Sequence, residues 1–136
     1  MSGEGPAILD ASALLAYLKD EQGAARVRTA MAGGALISAV NWAETLSTLA
    51  DWGQAPETAA EFLRGGGFYG QLAEVVPFDE AQAREAARLR RSTRELGLSL
   101  GDRACLALGL SRGLPVLTAD RAWSRLSLKV RIVQIR

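Results

Sequence analysis

Apolar and polar positions follow two alternating rhythms along this chain. Ala7-Ile8-Leu9 is a short continuous apolar run that stops at Asp10, as a strand covered on both faces does. Over residues 12–19 the rhythm changes, and Leu14, Leu15 and Leu18 recur at helical spacing. Residues 24–32 repeat the helical pattern until Gly33-Gly34 stops it, and Ala35-Leu36-Ile37 is the second strand-like run. A helix over about 40–52 follows, with Ser38 placed to cap it and Gly53 to end it. Pro56 opens a helix to about Arg64, which Gly65-Gly66-Gly67 ends. Residues 73–76 predict a third strand. Asp79-Glu80-Ala81-Gln82 has the form of a capping box for a long helix to about Leu96, broken by Gly97. Residues 99–111 predict another helix, 115–118 a strand, 120–124 a helical turn and 130–135 a last strand.

Strands alternating with helices predict an α/β fold, a parallel sheet with helices on both faces. No internal repeat, low-complexity tract or linker interrupts the 136 residues, so one domain over 1–136 is expected. The triple glycine does not read as a phosphate loop: it follows a helix and lacks the accompanying Lys-Ser/Thr or G-x-G-x-x-G pattern.

Composition narrows the chemistry. The chain has no His and one Cys, which excludes Ser-His-Asp and Cys-His catalysis, His-ligated zinc and an internal disulfide. Acid, base and ligand chemistry then falls to the 15 Asp and Glu, and oxygen ligands of that kind suit Mg²⁺ or Mn²⁺. The net charge of +1 advertises no global basic field. The longest uncharged run, from Thr29 to Ala43, is too short and too broken by Gly33, Gly34 and Asn41 to span a bilayer. The start lacks the basic segment of a signal peptide, so a cytoplasmic protein with no membrane association is expected.

Parallel α/β sheets present their sites at the carboxyl ends of the strands, where the helix N-termini also lie. Four acids map to that edge. Asp10 follows the first strand, Glu44 sits one turn into the helix after the second, Asp102 lies in the first turn of its helix, and Asp120 lies just past 116–118. Each also has a purely structural reading. Asp10 and Asp120 can cap the helical turns they precede, Asp102 can complete a capping box with Ser99, and Glu44 can be a solvated helix acid. Taken together they predict one acidic rim, in which repulsion raises the pKa values unless a divalent cation neutralises it. Ser12 and Thr118, two residues from Asp10 and Asp120, can orient carboxylates or hold water; for Thr118 a backbone-bonded strand-end hydroxyl is the preferred reading.

These residues carry a family resemblance. Ile8-Leu9-Asp10-Ala11-Ser12-Ala13-Leu14-Leu15, Ser38-Ala39-Val40-Asn41-Trp42-Ala43-Glu44, Leu98-Ser99-Leu100-Gly101-Asp102-Arg103-Ala104-Cys105-Leu106-Ala107 and Val116-Leu117-Thr118-Ala119-Asp120-Arg121-Ala122-Trp123 stand in family order and spacing. Together the blocks resemble PIN-domain ribonucleases, most closely the VapC-type toxins of toxin–antitoxin pairs. The resemblance implies a PIN-like fold, with a twisted, mainly parallel sheet of four to five strands flanked by helices. It implies that Asp10, Glu44, Asp102 and Asp120 are catalytic and bind Mg²⁺ or Mn²⁺, for in-line hydrolysis of RNA phosphodiesters by metal-activated water. It further implies a homodimer and a small antitoxin laid in a groove, whose candidate walls are Leu14, Leu15 and Leu18 with Leu46, Leu49 and Trp52; core packing is the competing reading for these. The stretch from Gly65 to Gly70 lies outside the shared blocks.

RNA also needs cations. Arg103 and Arg121 adjoin the quartet and are candidates to touch the scissile phosphate, or else to pair with neighbouring carboxylates. Arg84, Arg88 and Arg91 share a helix face that reads as solvated and salt-bridged. Trp42 and Trp123 have the shape to stack on bases, but core positions are the preferred reading, as is a buried apolar role for Cys105. Two other functions remain open: a metal-dependent phosphatase or phosphotransferase using Asp10 as nucleophile, and a non-catalytic PIN-like protein-binding module.

Overall fold

A computed structural model describes residues 5–65 and 72–136. Among these, β1 (Ala7–Leu9), β2 (Ala35–Ser38), β3 (Leu72–Val76), β4 (Val116–Thr118) and β5 (Ile132–Gln134) form one sheet in the order β3-β2-β1-β4-β5. Every pairing is parallel. The central strand sets the register: Ile8 lies opposite Leu36 on one side and Val116 on the other. Six helices connect the strands: α1 (Ala11–Leu18), α2 (Ala24–Ala32), α3 (Ala39–Asp51), α4 (Pro56–Arg64), α5 (Glu80–Ser92) and α6 (Leu100–Arg112).

The period of two along each strand divides the core into two layers. Ala7, Leu9, Ala35, Ile37 and Leu117 join a cluster with Leu14 and Tyr17 of α1, Val27 and Met31 of α2, Leu49 of α3 and Leu63 of α4. Ile8, Leu36 and Val116 join the other, with Leu89 of α5 and Leu106 and Leu108 of α6. Helices therefore cover both faces, as the alternating pattern predicts, and β1 is buried along its whole length. This is why its sequence is continuously apolar rather than alternating.

Several sequence expectations are corrected in detail. The long helix to Leu96 ends instead at Ser92, followed by a separate 3₁₀ turn at Arg94–Leu96. Thr93 is the C-cap: its buried hydroxyl, at 2.6 Å, and its N–H, at 3.0 Å, both donate to Leu89 O. The capping box expected at Asp79 is only half made. Asp79 accepts from Gln82 N, while the Gln82 amide donates to Ser111 Oγ of α6. The last strand is shorter than 130–135. Gly65 ends α4, and the rest of the stretch to Gly70 lies outside the described residues. Trp123 and Cys105 are fully buried and Trp42 packs half-buried on the core, whereas Trp52 is exposed. Among the described residues no helix is long and apolar enough to cross a membrane.

Candidate active site

The strand order reverses at the centre of the sheet. From β1 the chain steps outward to β2 and β3, then returns to lay β4 on the other side of β1. The crevice beyond the carboxyl ends of β1 and β4 is thus the switch point at which such sheets hold ligands. Asp10 and Thr118 stand on its two sides. Asp10 caps α1, its Oδ1 accepting from Ala13 N at 2.8 Å and from Ser12 Oγ at 2.7 Å. Thr118 Oγ1 donates to Asp10 Oδ2 at 2.5 Å and accepts from Asp120 N at 3.0 Å. Ser12 Oγ accepts from Ala119 N at 3.0 Å, so both hydroxyls fasten the β1 carboxylate to the end of β4.

Asp10 is 5% exposed. Burial pushes its carboxyl up from 3.8 to about 6; the bonds from Thr118, Ala13 and Ser12 pull it down, and the charge of Asp102 adds a smaller upward push. Desolvation rather than crowding of like charges therefore dominates, contrary to the repulsion expected from the sequence.

The other acids approach from α3, α6 and the turn after β4. Glu44 is exposed on α3, and Asn41, one turn earlier, donates its amide to Glu44 Oε1 and to Gly101 O, both at 2.9 Å. This clip ties α3 to the start of α6. Gly101 leaves room for the Glu44 carboxylate in its present place, since a Cβ there would push that exposed side chain aside. Asp102 completes a reciprocal capping box with Ser99, at 3.1 Å in each direction. Asp120 caps the following 3₁₀ turn through Ala122 N at 3.0 Å. The structural readings of Asp10, Asp102 and Asp120 are thus all realised.

Asp10, Asp102 and Glu44 nonetheless lie within electrostatic reach of one place. Burial pushes the Cys105 thiol well above its usual value, and those three acids push it further. Among the described residues, no three Asp, Glu, His or Cys stand close enough together to ligate one metal ion. The donor chemistry still fits a hard divalent cation, since every available group is an oxygen. The buried Asn41 Oδ1 has no partner, and Asp10 ionises with difficulty where no cation compensates. Glu44 and Asp120 are exposed, so both can turn inward from their present bonds.

The sequence profile of the PIN domain matches residues 7–129. The chain belongs to the PIN-domain family. Solved structures agree on the fold. A toxin–antitoxin complex from Klebsiella pneumoniae is similar at 17% identity, over 96% of this chain and 98% of that one, with a TM-score of 0.70. FitAcB from Neisseria gonorrhoeae is similar at 20% identity, over 94% and 96% of the two chains, with a TM-score of 0.71. DNA-bound VapBC from Salmonella typhimurium is similar at 20% identity, over 97% and 99%, with a TM-score of 0.70. A search of curated protein sequences returns no match.

Within this PIN domain the two arginines suggested by sequence part company. Arg121 is exposed beside Asp120. Arg103 is buried, and its Nη1 donates to Ala86 O of α5 at 2.9 Å, away from the acids. The side chain is long enough to run under α5, a direction that no sequence pattern shows. The sequence reading gave Asn41 and Gly101 no role. The spacing of Asn41 three residues before Glu44 is the signal that points to its clip.

Proposed function

We propose that this PIN domain is a metal-dependent endoribonuclease toxin, silenced by a small antitoxin and active as a homodimer. One observation carries the reading: a carboxylate at the switch point is almost wholly buried yet held by donors suited to its charged form. A cap alone does not need such burial. In this reading Asp10, Glu44, Asp102 and Asp120 hold Mg²⁺ or Mn²⁺, which supplies the charge compensation and Lewis acidity for phosphodiester hydrolysis by water. Ser12 and Thr118 fix the rotamer of Asp10. Asn41 holds Glu44 on the α6 side, and Arg121 faces the RNA. Toxin–antitoxin complexes among the structural neighbours support an antitoxin partner.

The test is cleavage of labelled RNA by the purified protein with added Mn²⁺ or Mg²⁺. Cleavage that EDTA stops and Asp10→Asn abolishes is the expected result. Undiminished cleavage by that variant refutes the site. The capping bonds of Asp102 and Asp120 favour a second reading, a PIN domain that only binds protein. That reading requires no metal-dependent cleavage and no metal binding by calorimetry.

A further inference from the structure

The arginines of α5 and the turn after it fall into two groups. Arg84 and Arg88 pair with Glu80 and Glu85 on their own helix. Arg90 and Arg94 are exposed, and among the described residues no ion pair engages them or Arg103. These three line one polar pocket of about 280 Å³, closed by Thr93, Ser99 and Leu100 and containing no carboxylate in its lining. Arg103 is 9% exposed, and its Nε has no hydrogen-bond partner.

Three cations around a pocket with no acid are an unfavourable arrangement in isolation. Like charges gathered around one pocket repel one another. An anion seated among them removes that cost. The chain shapes the pocket for one. Gly97, at φ 62°, turns the backbone back so that Ser99 and the start of α6 face Arg94. Ser99 Oγ accepts from Asp102 N, which leaves its own proton to donate.

We propose that this pocket is a phosphate subsite for the backbone of a single-stranded RNA, on the Asp102 side of the acidic site. The link between them is direct, since Ser99 at the pocket wall is the capping partner of Asp102. Leu100, 52% exposed at the rim, offers an apolar surface to the adjoining nucleoside. The proposal rests on the ribonuclease reading for the identity of the strand, but the subsite can be tested without turnover.

The experiment measures fluorescence anisotropy of a labelled, 2′-O-methylated RNA oligonucleotide in EDTA, over a series of salt concentrations. The proteins are the parent, the Arg90→Gln/Arg94→Gln pair and, as control, the Arg84→Gln/Arg88→Gln pair on the same helix. Each lost phosphate contact removes about 0.7 from the slope of log K against log salt. Arg90→Gln/Arg94→Gln takes one phosphate contact away and is therefore expected to lower the slope by about 0.7, which weakens binding roughly 5-fold at 0.1 M salt if affinities meet at 1 M. The control pair is expected to leave the slope within about 0.3 of the parent. In cleavage assays the same variant is expected to raise KM and leave kcat unchanged. An unchanged slope, or an equal loss in the control pair, overturns the subsite. Absence of cleavage with the expected slope change overturns the ribonuclease reading and leaves the phosphate subsite standing.

Discussion

Replacing Asp10 by Asn separates a buried, desolvated carboxylate from a simple capping one, because the two readings predict different stability changes. Burial raises this carboxyl from 3.8 to about 6, so the fold holds the neutral form better than the charged one. Below about pH 4 both folded and unfolded chains carry the proton and the penalty is absent. It grows between about pH 4 and 6, and above pH 6 it is constant at about 3 kcal/mol. Asn carries no charge to desolvate. Its oxygen can keep the Ala13 N–H and the Ser12 hydroxyl, and its amide can donate to Thr118 Oγ1. Allowing about 1–2 kcal/mol for imperfect rearrangement of these bonds, Asp10→Asn stabilises the metal-free protein by about 1–2 kcal/mol at pH 7.5. That corresponds to roughly 3–7 °C in Tm for a chain of this size. A pure N-cap predicts no change, since Asn and Asp cap equally well. The assay is urea unfolding of both proteins in EDTA from pH 3.5 to 8. The variant is expected to be less stable than the parent by about 1–2 kcal/mol at pH 3.5, and the difference to rise through zero over pH 4–6. A variant no more stable than the parent at pH 7.5, or a difference independent of pH, refutes the reasoning.

Other outcomes follow from neighbouring bonds. Thr118→Val removes a donor that lowers the Asp10 pKa and strands the Asp120 N–H; it is expected to cost about 1–2 kcal/mol in urea unfolding and to move the acid limb of the cleavage profile to higher pH. An unmoved limb shows that Asp10 does not set it. Gly101→Ala places a methyl against the Glu44 carboxylate while gaining helix propensity, so Tm is expected to change little as cleavage falls about tenfold or more. Equal loss of both properties points to a packing defect instead. Cys105, fully buried and with its thiol pushed up, is expected to react with a thiol reagent only as fast as the protein unfolds. Rapid labelling of the native protein contradicts that burial.

The sequence made the fold and the candidate acids legible for a shared reason. Continuous apolar runs mark strands covered on both faces, and in a parallel sheet the residue after each strand falls on one edge. That topology puts Asp10 and Asp120 near the ends of β1 and β4, while Glu44 and Asp102 lie within α3 and α6 and stand out through the family resemblance. What each carboxylate does there depends on rotamers and on partners distant in sequence. The Thr118 bond to Asp10 and the Asn41 bond to Gly101 are invisible to local patterns. The end of α5 has no local mark, because Thr93 fits the helical rhythm and its N–H still bonds the Leu89 carbonyl beside its hydroxyl. Arg103 was misdirected because its position next to Asp102 says nothing of where a long side chain reaches.

The bond from Thr118 to Asp10 joins groups 108 residues apart. A chain leaving the ribosome at about 5–20 residues per second carries Asp10 for several seconds before Thr118 exists to meet it. Until β4 slots in beside β1, Asp10 lacks its Thr118 partner and β1 its neighbour on that side. A nascent chain stalled before Val116 therefore has neither the switch-point crevice nor the Asp10 clamp, and the candidate site comes into being only as the last two strands arrive.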